Sequence, residues 1–344
     1  MPITINYRAA TIPDTPDVPD TDYDDEDYGD ACSILVPIDV VGLKSLRSVT
    51  SAGVELREDF TSEWRPDVTY GAGDRCYVFA THKVYESVQD NNINKDPSQY
   101  LNRTNAAGVA TWWFEVGPTN RYAMFDGLVS SQTSAPSPLS ITLTPGSFNG
   151  FAFFGLEADS VSVEVRDMPG GTIIYSETDT SLEGTAPEDY YEYFFDRFKP
   201  LKQFIRSGLE PYEDSEITVT FFKGSGNVKV GMFALGDLKP IGIPQRGASV
   251  DLTDFSYVTQ DQFGNATVKK RPNASNLTIS TKMHEDDVNS VLDIIREVQG
   301  IPVVAVGSQA DKYEWLTVFG LLSGQPVADS YPYATLNIKV KGFI

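Results

Sequence analysis

Between Trp64 and Phe114 the chain crowds Tyr70, Tyr77, Phe79, Tyr85, Trp112 and Trp113 into a few short apolar runs split by turn residues. A segment of about sixty residues is too small for a large core, so its aromatics either form that core or stand out as flat surfaces for a ligand. Tyr70-Gly-Ala-Gly-Asp74 reads as a turn. Arg75–Phe79 and His82–Val88 read as two strands with a tight connection, Asp90–Pro97 as a polar loop, and Thr111–Val116 as a closing strand. Successive strand residues face opposite sides, so Trp112 and Trp113 cannot both enter one core.

The order Trp64, then Tyr70-x-x-Gly73-Asp74, then Val84-Tyr85-Glu86, then a late Trp resembles the small chitin-binding modules of carbohydrate-binding families 5 and 12. That resemblance implies a sugar platform drawn from Trp64, Tyr70, Tyr85, Trp112 and Trp113. The residues leave two readings open. Trp64 and Tyr85 are expected as module core, with Tyr70 and one of Trp112 or Trp113 facing out. The long Asp90–Ala110 insertion is placed where it could cover such a platform.

The module runs without a flexible linker into Gly117-Pro-Thr-Asn-Arg-Tyr-Ala-Met-Phe-Asp126. This junction resembles a recurrent tail-associated structural protein of tailed bacteriophages. The resemblance implies a virion component made in the host cytoplasm. It would sit in the tail tip, collar or baseplate, join the tail core to peripheral fibres, and have other tail proteins as partners. Asn120, Arg121 and Asp126 are expected to be structural there, with Arg121 pairing with a carboxylate across the junction.

Five regions follow from composition. Residues 1–30 carry Pro13-Asp14, Pro16-Asp17 and Pro19-Asp20 at the three-residue period of a polyproline II helix, then Asp22, Asp24, Asp25, Glu26 and Asp27. So acidic and proline-rich a stretch is expected to act as an arm that orders by docking on a neighbouring subunit. Residues 31–60 read as a small collar with an edge strand broken by Pro37, and residues 61–118 are the module. Residues 119–238 hold alternating runs such as Leu139–Thr144, Ser160–Arg166 and Glu216–Phe222, which predict an antiparallel sandwich or jelly roll, similar to galactose-binding-like sandwiches. Its aromatic insertion, Ala186–Pro200, is expected to cover a sheet or contact a partner.

A break is expected at Lys239-Pro-Ile-Gly-Ile-Pro244. Residues 245–344 then read as strands around one helix, Glu285–Val298, with Val288, Val291, Leu292, Ile295 and Val298 on one stripe and Gly300 ending it. This last third resembles the tail-tube-derived fold of phage tube, distal-tail and hub proteins. That implies a homo-oligomeric ring in which an exposed edge strand at 335–341, guarded by Lys339 and Lys341, becomes covered. The fold class is therefore mainly β and multidomain, with one α-helix.

The formal charge of −21 argues against nucleic acid and anionic membranes as partners. There is no apolar run of about eighteen residues to cross a membrane. The opening Met1–Arg8 lacks the basic and apolar regions of a secretion signal. Cys32 and Cys76 make no disulfide framework and fit reduced assembly. His82 and His284 are the only histidines, and no nucleophile elbow, zinc-protease motif or phosphate loop occurs. No catalytic residue, metal site or cofactor is expected. The acidic stretches at 20–30 and 90–96 lack the spacing of a calcium loop. Two functions remain: a non-enzymatic tail connector that contacts host glycans, and a dedicated carbohydrate-binding adhesin.

Overall fold

The computed structural model describes residues 31–104, 108–182, 203–260, 263, 265–271, 273–308 and 311–343. The acidic arm and the insertion at 186–200 lie outside the described residues. The chain is mainly β, and the described residues form several antiparallel sheets and one substantial helix.

Strand Cys32–Pro37 is flanked by Met232–Pro244 on one side and Pro302–Val306 on the other. The ladder continues through Thr317–Ser330 and Tyr333–Gly342 to Asn273–His284. Asn273–His284 then pairs back onto Met232–Pro244 through Ile243 and Pro244. These strands close into a barrel. Alternation turns Leu336, Ile338 and Val340 inward, against Ile34, Val303 and Ile279. Helix Val288–Glu297 adds Val288, Val291 and Ile295 to that core. A 3-10 turn, Glu285–Asp287, precedes the helix, its Asp286 N–H donating to the His284 ring, and Gly300 at φ +81° follows it.

The second core is a sandwich. A six-stranded sheet runs in the order Ile173–Ser181, Ser160–Arg166, Glu216–Phe222, Leu139–Leu143, Leu46–Ser51, Val54–Glu55. It packs on Gly150–Phe154, Gln203–Arg206 and the first half of Met232–Pro244. Phe153 sits at the centre, its ring centroid 4.5 Å from that of Phe233 and 5.1 Å from that of Phe221.

The structure corrects three expectations. Residues 31–60 form no separate collar: Cys32–Pro37 is a central barrel strand buried on both faces, and Leu46–Ser51 with Val54–Glu55 extends the sandwich. An unbroken apolar run is the mark of an interior strand, and Pro37 merely ends it. There is no break at 239–244 either, because Met232–Pro244 runs through as one strand. A bulge absorbs the prolines. Cys32 pairs with Gly242 and Ser33 with Pro240, leaving Ile241 unopposed, with Gly242 at φ +120°. The barrel therefore begins before residue 245 and needs strands from both ends of the chain. Finally, 335–341 is no edge, since Tyr333–Gly342 is paired along both sides. Lys339 and Lys341 are exposed because alternation points them away from the barrel core.

Phe153→Ala should cost roughly 3–5 kcal/mol, as for other buried aromatics. Val268→Ala, on an exposed hairpin, should stay within about 0.5 kcal/mol. Urea unfolding of the two variants checks the pair, and equal losses would contradict the assignment of Phe153 to the inter-sheet core.

Candidate functional site: the aromatic module and its junction

The module is a four-stranded sheet, ordered Ser62–Glu63, Arg75–Val78, Lys83–Ser87, Trp113–Pro118, with a small ladder between Thr69–Tyr70 and Asn92–Ile93. Trp113, Tyr85, Cys76 and Tyr70 are its buried core. Trp113 donates its indole N–H to the Lys95 carbonyl at 2.6 Å. Tyr70 meets the Trp113 ring edge-on at 5.0 Å, and its hydroxyl accepts the Arg65 backbone N–H at 2.9 Å. Burial pushes that hydroxyl above the usual phenol range, against the opposing pull of the Arg65 N–H.

Tyr70, expected to face out, is thus a core residue. Its apolar ring completes a core too small to do without it, while the hydroxyl finds a backbone partner. Trp113 is the inward indole of the adjacent pair. Tyr85 is fully buried, its hydroxyl 3.3 Å from that of Thr81. Trp64 and Trp112 lie half-buried against this core. The Lys95 ammonium stands 5.2 Å from the centre of the Trp112 ring, so the polar loop partly covers that indole.

Two aromatics that the sequence reading passed over are more open: Tyr100 is 63% exposed and Phe114 58%. They flank a cleft of about 520 Å³ that also includes Arg103, Trp113 and Glu115. Arg103 and Lys83 both pair with Glu115, which places fixed charges beside the two rings. Strand alternation was the available signal for Phe114, because an inward Trp113 forces its neighbour outward. Tyr100 carried no comparable signal.

The junction is a clamp of buried polar groups. Thr119 is fully buried and donates its hydroxyl to Glu58 Oε1 at 2.9 Å; His82 Nδ1 lies 2.8 Å from the same oxygen. The His82 ring stacks on Tyr122 at 3.8 Å. Asn120 donates its backbone N–H to Asp59 at 3.0 Å, and its side-chain amide forms a pair of bonds with the Ser134 backbone. Arg121 pairs with Glu55 of the sandwich sheet and donates to the Leu56 carbonyl. Asp126 accepts the Leu128 N–H at 2.8 Å and shapes the next turn; burial raises its carboxyl pKa, opposed by the Leu128 N–H and Ser131. Tyr122 is likewise raised, by burial first and then by Glu58. The structure therefore brings Asn120 and Arg121 together at the joint, while Asp126 belongs to the turn that follows it.

Among the described residues no group of three or more His, Cys, Asp and Glu side chains could hold a metal ion. Cys32 and Cys76 are free and buried, and burial pushes both thiols up to about 12. Chemically, the module offers aromatic faces beside fixed charges, on a joint that fixes its orientation.

No protein-family model matches the chain, and no curated protein sequence matches it significantly. One similar solved structure is "CpGH89CBM32-6 produced by Clostridium perfringens". The likeness covers 32% of this chain and 79% of that one at 13% identity, with a TM-score of 0.22. A score that low bears on neither fold nor function.

Trp113→Ala should destabilise the module by roughly 3–5 kcal/mol, whereas the half-covered Trp112→Ala should cost clearly less. Denaturant titration followed by hydrogen exchange within 64–118 separates them, and reversed losses would mean that the other indole is the core one. The thiols give a pH test. Their folded values exceed the unfolded value of 9.0, so their contribution to stability is intact below pH 9 and is lost as pH rises through about 12. At pH 8 the native protein should leave a thiol reagent unconsumed until denaturant is added. Rapid native labelling of either cysteine would contradict the buried placement.

Proposed function

We propose that this chain is a non-enzymatic structural component of a tailed-phage virion, a connector in the tail tip, collar or baseplate. The observation that carries the reading is the Gly117–Arg121 junction. Its five residues resemble those of tail-associated structural proteins, and they fasten the module to the sandwich through Glu58, Asp59, Glu55 and Ser134 rather than through a loose linker. A connector has to hold a peripheral unit at a fixed angle to a central one, and buried polar pairing supplies that. On this reading the barrel faces the tail core, the module projects toward fibres, and the partners are other tail or baseplate proteins.

Host-glycan contact is the second reading, favoured by the open faces of Tyr100 and Phe114 beside the Arg103–Glu115–Lys83 charges. Sugar rings stack on such faces while their hydroxyls bond to neighbouring charged groups.

Disrupting the gene in its phage distinguishes the two readings. A connector is required for assembly, so purified wild-type particles should contain the chain in fixed stoichiometry, and the disrupted phage should yield no complete tails. Intact but poorly adsorbing particles would favour the adhesin. Particles that are complete, infectious and free of this chain would overturn both.

A further inference from the structure

Among the described residues the hairpin formed by Tyr257–Gln260 and Ala266–Lys269 pairs only with itself, and all of its strand residues are exposed. An isolated two-stranded hairpin is at best marginal in water. This one nevertheless carries apolar surface on both faces. Val258 lies opposite Val268 on one face, and Tyr257 opposite Lys269 on the other, with Phe255 exposed at the base. Beside it, the edge strand Ser249–Asp254 leaves Leu252 67% exposed.

The charge of the hairpin is as unusual as its exposure. In a chain with 48 acidic and 27 basic residues, the stretch from Phe255 to Arg271 contains Lys269, Lys270 and Arg271 against Asp261, with Asp251 and Asp254 on the edge strand beside it. Arg271 lies over the Tyr257 ring at 4.7 Å, so one face is both aromatic and cationic.

The complementary surface lies on the same chain, at the other end of one strand. Asn273–His284 leaves the hairpin and runs twelve residues along the barrel wall. At about 3.3 Å per residue it carries the chain roughly 40 Å away. It ends at Glu285, Asp286 and Asp287, all exposed. Next to them stands Tyr331, 90% exposed, in the turn whose Pro332 carbonyl accepts the Glu285 N–H at 2.9 Å. One end of the barrel thus presents cations with apolar side chains, and the other presents carboxylates with an aromatic ring.

The geometry points to a head-to-tail contact between copies of this chain, in which the 255–271 hairpin of one copy seats on the Glu285–Asp287 and Tyr331 end of the next. The separation prevents the two surfaces from meeting within one molecule. The contact is therefore heterologous, and it propagates unless rotation closes it into a ring. It does not depend on the virion reading, because it rests only on exposure, charge and the length of one strand.

Sedimentation of the full chain over a concentration series tests it, at about 50 mM and about 500 mM salt, where the Debye length shortens several-fold. Self-association should appear at low salt and weaken at high salt. Lys269→Glu/Lys270→Glu/Arg271→Glu and Glu285→Lys/Asp286→Lys/Asp287→Lys should each associate at least about tenfold more weakly, by like-charge repulsion. An equimolar mixture of the two triple variants should recover association, because the unchanged hairpin then meets the unchanged acidic end and the two reversed surfaces meet with their charges exchanged. All six positions are exposed, so the melting temperature of each variant should match that of the parent. A parent that stays monomeric at every concentration, triple variants that associate as the parent does, or a mixture that fails to recover would each overturn the contact.

Discussion

Strand Met232–Pro244 is the element on which the rest of the structure depends. Its first half sends Phe233 and Leu235 into the sandwich core, and its second half sends Ile241 into the barrel core. The bulge at Ile241 allows this, because an inserted residue bends the strand and increases its twist where it passes from one core to the other. Cys32–Pro37 lies alongside and completes the barrel, although it precedes the sandwich strands in sequence. The two cores thus share covalent and hydrogen-bonded structure instead of meeting at an interface. Strain or unfolding in one is transmitted to the other through a ladder, which is a stiffer coupling than the contact of two independently closed domains.

Local pattern and long-range pairing divide what could be read from the residues alone. Runs such as Leu139–Leu143, Ser160–Arg166 and Glu216–Phe222 alternate cleanly because one face is buried and the other is not. The helix also showed itself, through a 3.6-residue stripe. Pro240 and Pro244 misled, since a proline marks a local loss of a donor and says nothing about whether a distant strand supplies a bulge to accommodate it. Tyr333–Gly342 misled for a related reason: its outward lysines look like edge guards until both neighbouring strands are in place. In the module, alternation required that one of Trp112 and Trp113 leave the core but could not choose which. That choice rests with the Lys95 carbonyl, which receives the Trp113 N–H, and with the Tyr70 edge contact.

The junction shows why buried polar groups suit a joint. A typical internal hydrogen bond adds only about 0.5–1.5 kcal/mol, but a buried group left without its partner costs about 1–3 kcal/mol. Glu58 satisfies Thr119 and His82 together, Asp59 satisfies Asn120 and Thr61, and Asn120 satisfies both backbone groups of Ser134. Rotating the module would break several of these at once, without water at hand to replace them. An apolar contact of similar size would tolerate sliding. The clamp therefore contributes more to the direction of the module than to the net stability of the fold.

Many of the cations on the described surface are neutralised locally, as in Arg65–Asp67, Arg75–Glu86, Arg166–Glu164, Arg206–Glu177 and Lys229–Glu157. Exposed pairs of this kind add little to stability, at most about 1 kcal/mol each. What they do is remove positive charge from view, so that the surplus of 21 negative charges dominates the approach of any other molecule, including another copy. Against that background a group of three adjacent cations acts as a directional feature. On so acidic a surface the place where cations are left clustered is the one where a negatively charged surface is least repelled, and here Lys269, Lys270 and Arg271 are clustered on an exposed hairpin at one end of the barrel.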